Sequence, residues 1–161
     1  VSETPLPDKG VILLTIDKGG RVFFNVEGQQ LRRSIIEKMG ERFNVTFEEK
    51  ELKRFSVLSS VGMPMNQMKE YLSADEARRK EMNLSTPGIP KDSTNNELAM
   101  WVNVARNAAP RASIAIKGDR EADIPTIKRV ISILQDNKAN RFALITNLEG
   151  APTAEPATDK Q

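Results

Sequence analysis

Residues 112–148 read ASIAIKGDREADIPTIKRVISILQDNKANRFALITNL, and their reading decides the fold. In residues 112–117, Ile114 and Ile116 alternate with smaller or polar neighbours, the period of a half-buried strand. Gly118, Asp119 and Arg120 turn the chain. Pro125 stands at a first helical position, where its fixed φ suits the helix and its missing N–H costs nothing. Ile127, Val130, Ile131 and Leu134 then recur at helical spacing and form one apolar stripe. Residues 137–140 close that helix, and 141–148 (RFALITNL) return to strand composition. A strand–helix–strand run of this kind is a crossover, which makes its two strands parallel or near neighbours in one sheet.

Working outward, residues 11–17 (VILLTID) and 21–26 (RVFFNV) flank Lys18-Gly19-Gly20. Two β-branched, apolar runs around such a turn read as a hairpin. The first run is apolar on both faces, as a buried strand would be. Residues 29–43 change period: Leu31, Ile35, Ile36 and Met39 mark an amphipathic helix. Thr46 with Glu49, Ser73 with Glu76, and Thr94 with Glu97 each have capping-box spacing. They predict helices from about 46 to 59, from 73 to about 82, and after 94. A short helical turn at 66–72 lies between the first two, and Leu98, Trp101, Val102 and Ala105 form the stripe of the last. Residues 83–94, with Ser85, Thr86, Pro87, Gly88 and Pro90, are loop chemistry. The expected fold is α+β: a small mixed β-sheet with helices packed on one face, in the order ββα, helical insertion, αβαβ.

Composition narrows the chemistry. The 161 residues contain no cysteine and no histidine. Thiolate chemistry and disulfides are therefore excluded, and the commonest general base and metal ligand are missing. No cofactor and no metal is expected. Lys plus Arg is 24 against 22 for Asp plus Glu, a net charge of +2, without the clustered basic excess of a nucleic-acid binder. Aromatics are 5% of the chain, so the core is aliphatic and no stacking platform for single strands exists. Arg32-Arg33 and Arg78-Arg79-Lys80 read as solvated helix faces rather than a nucleic-acid patch. Asp119, Glu121 and Asp123 cluster after a strand end, where α/β sheets often bind ligands. No nucleophile accompanies them, and acids favour the start of the following helix, so no catalytic set is assigned and the chain is read as non-enzymatic. Lys18-Gly19-Gly20 lacks the spacing of a phosphate loop. Met63, Met65, Met68 and Met82 suit an irregular core or an adaptable binding surface, and core is favoured.

The ordered set SIAIKGD (113–119), IPTIKRVISIL (124–134) and RFALIT (141–146) resembles the periplasmic domain of the ExbD/TolR biopolymer-transport proteins. Gly118, Asp119 and Arg120 hold the family's turn. Leu6-Pro7 before the first strand fits as well, and VGMPMNQMKEYL (61–72) resembles a longer, Bacteroidetes-like form. The resemblance covers about residues 6–148. The chain departs from shorter members by a helical insertion at about 46–90 and by an Ala/Pro/Thr-rich tail. The resemblance implies an extended lead-in at 1–10 following a membrane helix outside this sequence, a periplasmic domain at 11–148, and a disordered tail at 149–161. It also implies anchoring to the bacterial inner membrane, a homodimer, an ExbB-like membrane subunit, and a TonB-like partner driven by proton flow. A TolR-like, peptidoglycan-binding module is the alternative. Asp119 is not the family's proton-carrying carboxylate, which lies in the membrane helix.

Independently of the resemblance, an open sheet has edges, and an unpaired edge is a template for another strand. Residues 142–146, with Phe142, Leu144, Ile145 and Thr146, together with Leu6 and Pro7 of the lead-in, are the candidate pairing surface. The competing reading for each of these side chains is simple core packing.

Overall fold

The computed structural model describes residues 10–146. The order is β1 (Val11–Ile16), β2 (Val22–Val26), α1 (Gln29–Phe43), α2 (Glu49–Ser56), α3 (Met65–Ser73), α4 (Glu76–Ser85), α5 (Glu97–Ala108), β3 (Ser113–Gly118), α6 (Ile124–Asp136) and β4 (Ala143–Thr146). Over these residues the fold is α+β, a four-stranded mixed sheet with six helices. Leu6 and Pro7, the rest of the lead-in, residues 147–148 of the last run and the tail lie outside the described residues.

The strands lie in the order β2-β1-β3-β4. β1 and β2 form the antiparallel hairpin, with Leu14 opposite Phe24. The Asp17 carboxylate ties its turn, accepting from the Gly19 N–H at 3.0 Å and the Arg21 N–H at 2.8 Å. β3 then pairs parallel with β1, and β4 parallel with β3. The crossover through α6 therefore does what the strand–helix–strand pattern predicts.

Register puts Ile12, Leu14, Ile16, Val22, Phe24, Val26, Ile114 and Ile116 on one face, all buried. They share a single apolar cluster with Ile35, Ile36 and Met39 of α1, Leu52 and Phe55 of α2, Leu98, Trp101 and Val102 of α5, and Val130 and Leu134 of α6. The opposite face, with Val11, Leu13, Phe23 and Ile145, is only half-buried. β1 thus departs from the expected strand buried on both sides: the helix core covers one of its faces.

Residues 46–90 are not an appendage. Met63, Met65, Met68, Tyr71, Leu72, Met82 and Ile89 are all buried in the main cluster. The methionines are core, filling the irregular space between short helices, as an unbranched side chain can.

The three expected capping boxes are each displaced. α2 begins after Glu48, which exchanges capping bonds with Glu51, while Glu49 makes a bidentate pair with Arg33 at 2.7 and 2.8 Å. The carboxyl of Glu51 sits below its ordinary value. Burial pushes it up, but the Lys69 ammonium and the Glu48 N–H outweigh burial. α4 is capped by Asp75, which accepts from the Arg78 N–H at 2.8 Å, while Ser73 closes α3 by donating to the Lys69 carbonyl. α5 is capped by Asn96, not Thr94. Caps of this type compete within a few residues, and tertiary partners decide among them.

One close approach gives a prediction of unusual sign. Inside a helix, Gly→Ala normally stabilises by about 1 kcal/mol. At Gly40 in α1, a Cβ would lie 2.6 Å from the carbonyl oxygen of Val45 and 3.1 Å from the Phe47 ring. That carbonyl belongs to backbone held by the Val45 N–H donating to the Gly40 oxygen at 2.9 Å. Gly40→Ala is therefore expected to lower stability by about 1–3 kcal/mol, as overpacking does. Urea denaturation of the variant checks this, and any gain in stability would refute it.

Candidate functional site

β4 is short because only Ala143 to Thr146 reach the ladder with β3, in the register Ala115–Ala143, Ile116–Leu144, Lys117–Ile145 and Gly118–Thr146. Among the described residues no strand pairs with its outer side. The opposite edge of the sheet, along β2, is closed. There Phe24 N–H donates to the Val61 carbonyl at 2.8 Å and Val61 N–H donates back at 3.0 Å. The Ile89 N–H donates to the Val22 carbonyl at 3.0 Å.

The candidate side chains divide by face. Leu144 sits in register with Ile116 and packs against the buried cluster, as does half-buried Phe142. For these two, core packing describes the contacts. Ile145 pairs with exposed Lys117 on the opposite face and is half-buried, so with the smaller Ala143 it forms the β4 face at the open edge and away from the helices. The fold brings Gly118 into register with Thr146, joining the turn to the end of β4.

The turn itself is structural. The Asp119 N–H donates to the Ile16 carbonyl at 2.9 Å, and the Asp119 carboxylate accepts from the Glu121 N–H at 2.8 Å. Such an Asx-type bond closes the turn locally. Gly118 is buried, while Asp119 and Arg120 are exposed. Asp123 caps α6, accepting from the N–H and hydroxyl of Thr126. Those bonds hold its carboxyl below the ordinary aspartate value. Lys18 of the hairpin turn lies 4.0 Å from Glu121. Asp119 and Asp123 thus have structural partners. Among the described residues the Glu121 side chain has only this exposed contact, and no three acids group to hold a metal ion.

The basic clusters are also engaged. Arg32 donates to the carbonyls of Val26 and Ser56 at 2.8 and 2.9 Å. Arg78 pairs with Glu70 and Glu81, and Arg79 donates to the Ala74 carbonyl. A surface hollow of about 590 Å³ is lined by residues of α1, α2 and the loop between them, including Ser34, Lys38 and Phe47. None of its lining residues belongs to β3, α6 or β4. No described helix is long and apolar enough to cross a membrane.

The residues that close the β2 edge are the part of the site that sequence reading missed. Residues 83–94 carry plain loop signals, but nothing local says that Ile89 will reach Val22, 67 positions earlier.

Comparison of the chain with family models, curated proteins and solved structures finds no match.

Proposed function

We propose that this chain is a non-enzymatic docking domain of an ExbD-like subunit, working in the periplasm from an inner-membrane anchor. Its part there is to link a proton-driven, ExbB-like channel to a TonB-like partner. The observation that carries this reading is the asymmetry of the sheet: β2 is closed by Val61 and Ile89, while the outer side of β4 has no strand partner among the described residues. An open parallel-paired edge recruits an extended segment through backbone hydrogen bonds, and side chains of alternate faces set specificity. The ordered resemblance of residues 113–146 to the ExbD/TolR proteins supports the family part of the reading. It also leads us to expect, upstream of Val1, a span of about 20 apolar residues carrying one acid.

Ile145→Asp tests the edge. A charge on an edge strand opposes further strand pairing, and Ile145 is half-buried and away from the helix core. The variant is expected to keep its folded circular dichroism spectrum. It is expected to lose self-association and affinity for an extended TonB-like peptide by about tenfold or more, corresponding to at least about 1.4 kcal/mol. Unchanged association in sedimentation velocity, together with unchanged peptide titration, would remove the edge from the function. Retention on isolated sacculi with no peptide binding would turn the reading toward the cell wall. Leu144→Asp is a poor substitute, because it buries a charge against the core.

A further inference from the structure

We propose that residues 57–90 serve as an edge plug, which closes β2 to strand addition and so limits strand-paired assembly of this chain to a single partner at β4. The limit at β4 rests on the reading of β4 as a pairing edge, but the plug does not.

The bonds that make the plug are specific. Of the outward groups of β2, the Val26 carbonyl accepts from Arg32 at 2.8 Å, and three more through which another strand would pair are the Val22 carbonyl and the N–H and carbonyl of Phe24. The plug occupies all three, using Ile89 for the first and Val61 for the other two. The two plug segments are tied to each other and to the hairpin. The Thr86 hydroxyl, buried, donates to the Gly62 carbonyl at 2.7 Å and accepts from the Gly88 N–H at 3.1 Å. Arg21 donates to the Asn83 carbonyl at 2.9 Å while its Nε holds Asp17 at 2.7 Å.

Gly88 has φ +83, and a Cβ there would lie 2.9 Å from both the Val22 nitrogen and the Arg21 Cβ. The plug therefore lies close against β2, in a backbone conformation that suits glycine. Val61 itself makes one bridge and not a full strand. A short bridging segment satisfies the edge without offering a new long edge beyond it, which is one way natural sheets avoid edge-to-edge growth. A sheet open at both edges pairs head to tail without closing and grows into fibres. A sheet open at one edge closes as a two-fold pair.

The experiment combines Thr86→Val with Gly88→Ala to lift the plug, in the wild-type chain and in an Ile145→Asp background that silences β4. Hydrogen exchange reads the edge and sedimentation velocity reads assembly. In the Ile145→Asp background, lifting the plug is expected to speed exchange of the Phe24 amide by about tenfold. Amides of the β1–β3 ladder are expected to keep their protection, and the monomer is expected to begin associating through β2. With β4 intact, the lifted chain is expected to pass beyond the dimer. A Phe24 amide that opens while the Ile145→Asp chain stays monomeric overturns the plug, and so does a Phe24 amide that stays protected in the double variant. Should the double variant lose protection throughout the sheet, Thr86→Val alone is read by the same two measurements and the same two outcomes decide. If Ile145→Asp changes nothing in the unaltered chain, the β4 reading fails and the result for the plug still stands.

Discussion

Trp101→Ala is expected to cost about 3–5 kcal/mol, as large-to-small changes at fully buried aromatic positions do. The indole is completely buried. It lies between Phe24 of β2, at 5.0 Å between ring centroids, and Phe55 of α2, at 5.9 Å. A single side chain of α5 therefore joins the sheet to the residues 46–90 excursion, and its removal leaves a cavity walled by three elements that cannot all collapse inward. Among the described residues the indole N–H meets no acceptor. A buried donor without a partner is worth about 1–3 kcal/mol of lost stability, so Trp101→Phe is expected to be much milder, because it removes the donor and keeps most of the ring. Trp101 is the one tryptophan of the chain, so urea unfolding of these variants is followed by circular dichroism rather than fluorescence. A loss below about 1 kcal/mol for Trp101→Ala would mean that this junction does not hold the fold together.

Glu97→Ala comes next, with an expected loss of about 2–3 kcal/mol. Glu97 opens α5, yet its carboxylate is buried and accepts from the Met65 N–H at 2.9 Å. Met65 begins α3, whose N-cap is Pro64 with no side-chain cap. The acid therefore satisfies an orphan donor of a helix 32 residues away and places negative charge at that helix's positive end. Deleting it strands a buried N–H and unfastens α3 from α5. Glu97→Gln keeps an acceptor and is expected to recover more than half of the loss. Equal losses for the two substitutions in denaturant titrations would assign the effect to charge alone.

Both predictions bear on what was legible beforehand. Trp101 belongs to a stripe, Leu98-Trp101-Val102-Ala105, whose period marks it as core without any structure. Glu97 was legible only as an acid at capping-box distance from Thr94, and that reading is wrong. The carboxylate is taken by Met65, and Asn96 caps α5 with a bond to the Ala99 N–H at 3.1 Å. Local spacing names the residues able to cap, and a distant donor decides which does. The same holds at the candidate site. Leu144 and Ile145 are adjacent aliphatics with equal claims in the sequence. Strand pleat and register send Leu144 toward the helices and Ile145 to the other face, which the sequence alone could not assign because a one-residue shift of register exchanges them.

By itself the sequence determined the elements whose cause is local: the β1–β2 hairpin from its Gly-Gly turn, α1 from its apolar period, and the parallel β3–β4 pair from the crossover through α6. Each is set by side-chain period and turn chemistry within about 35 residues. Only the tertiary structure decided which edge of the sheet is closed. That depends on Val61 and Ile89 arriving beside Phe24 and Val22. Backbone N–H and carbonyl groups, common to nearly every residue, make those bonds, so no pattern of side chains announces them.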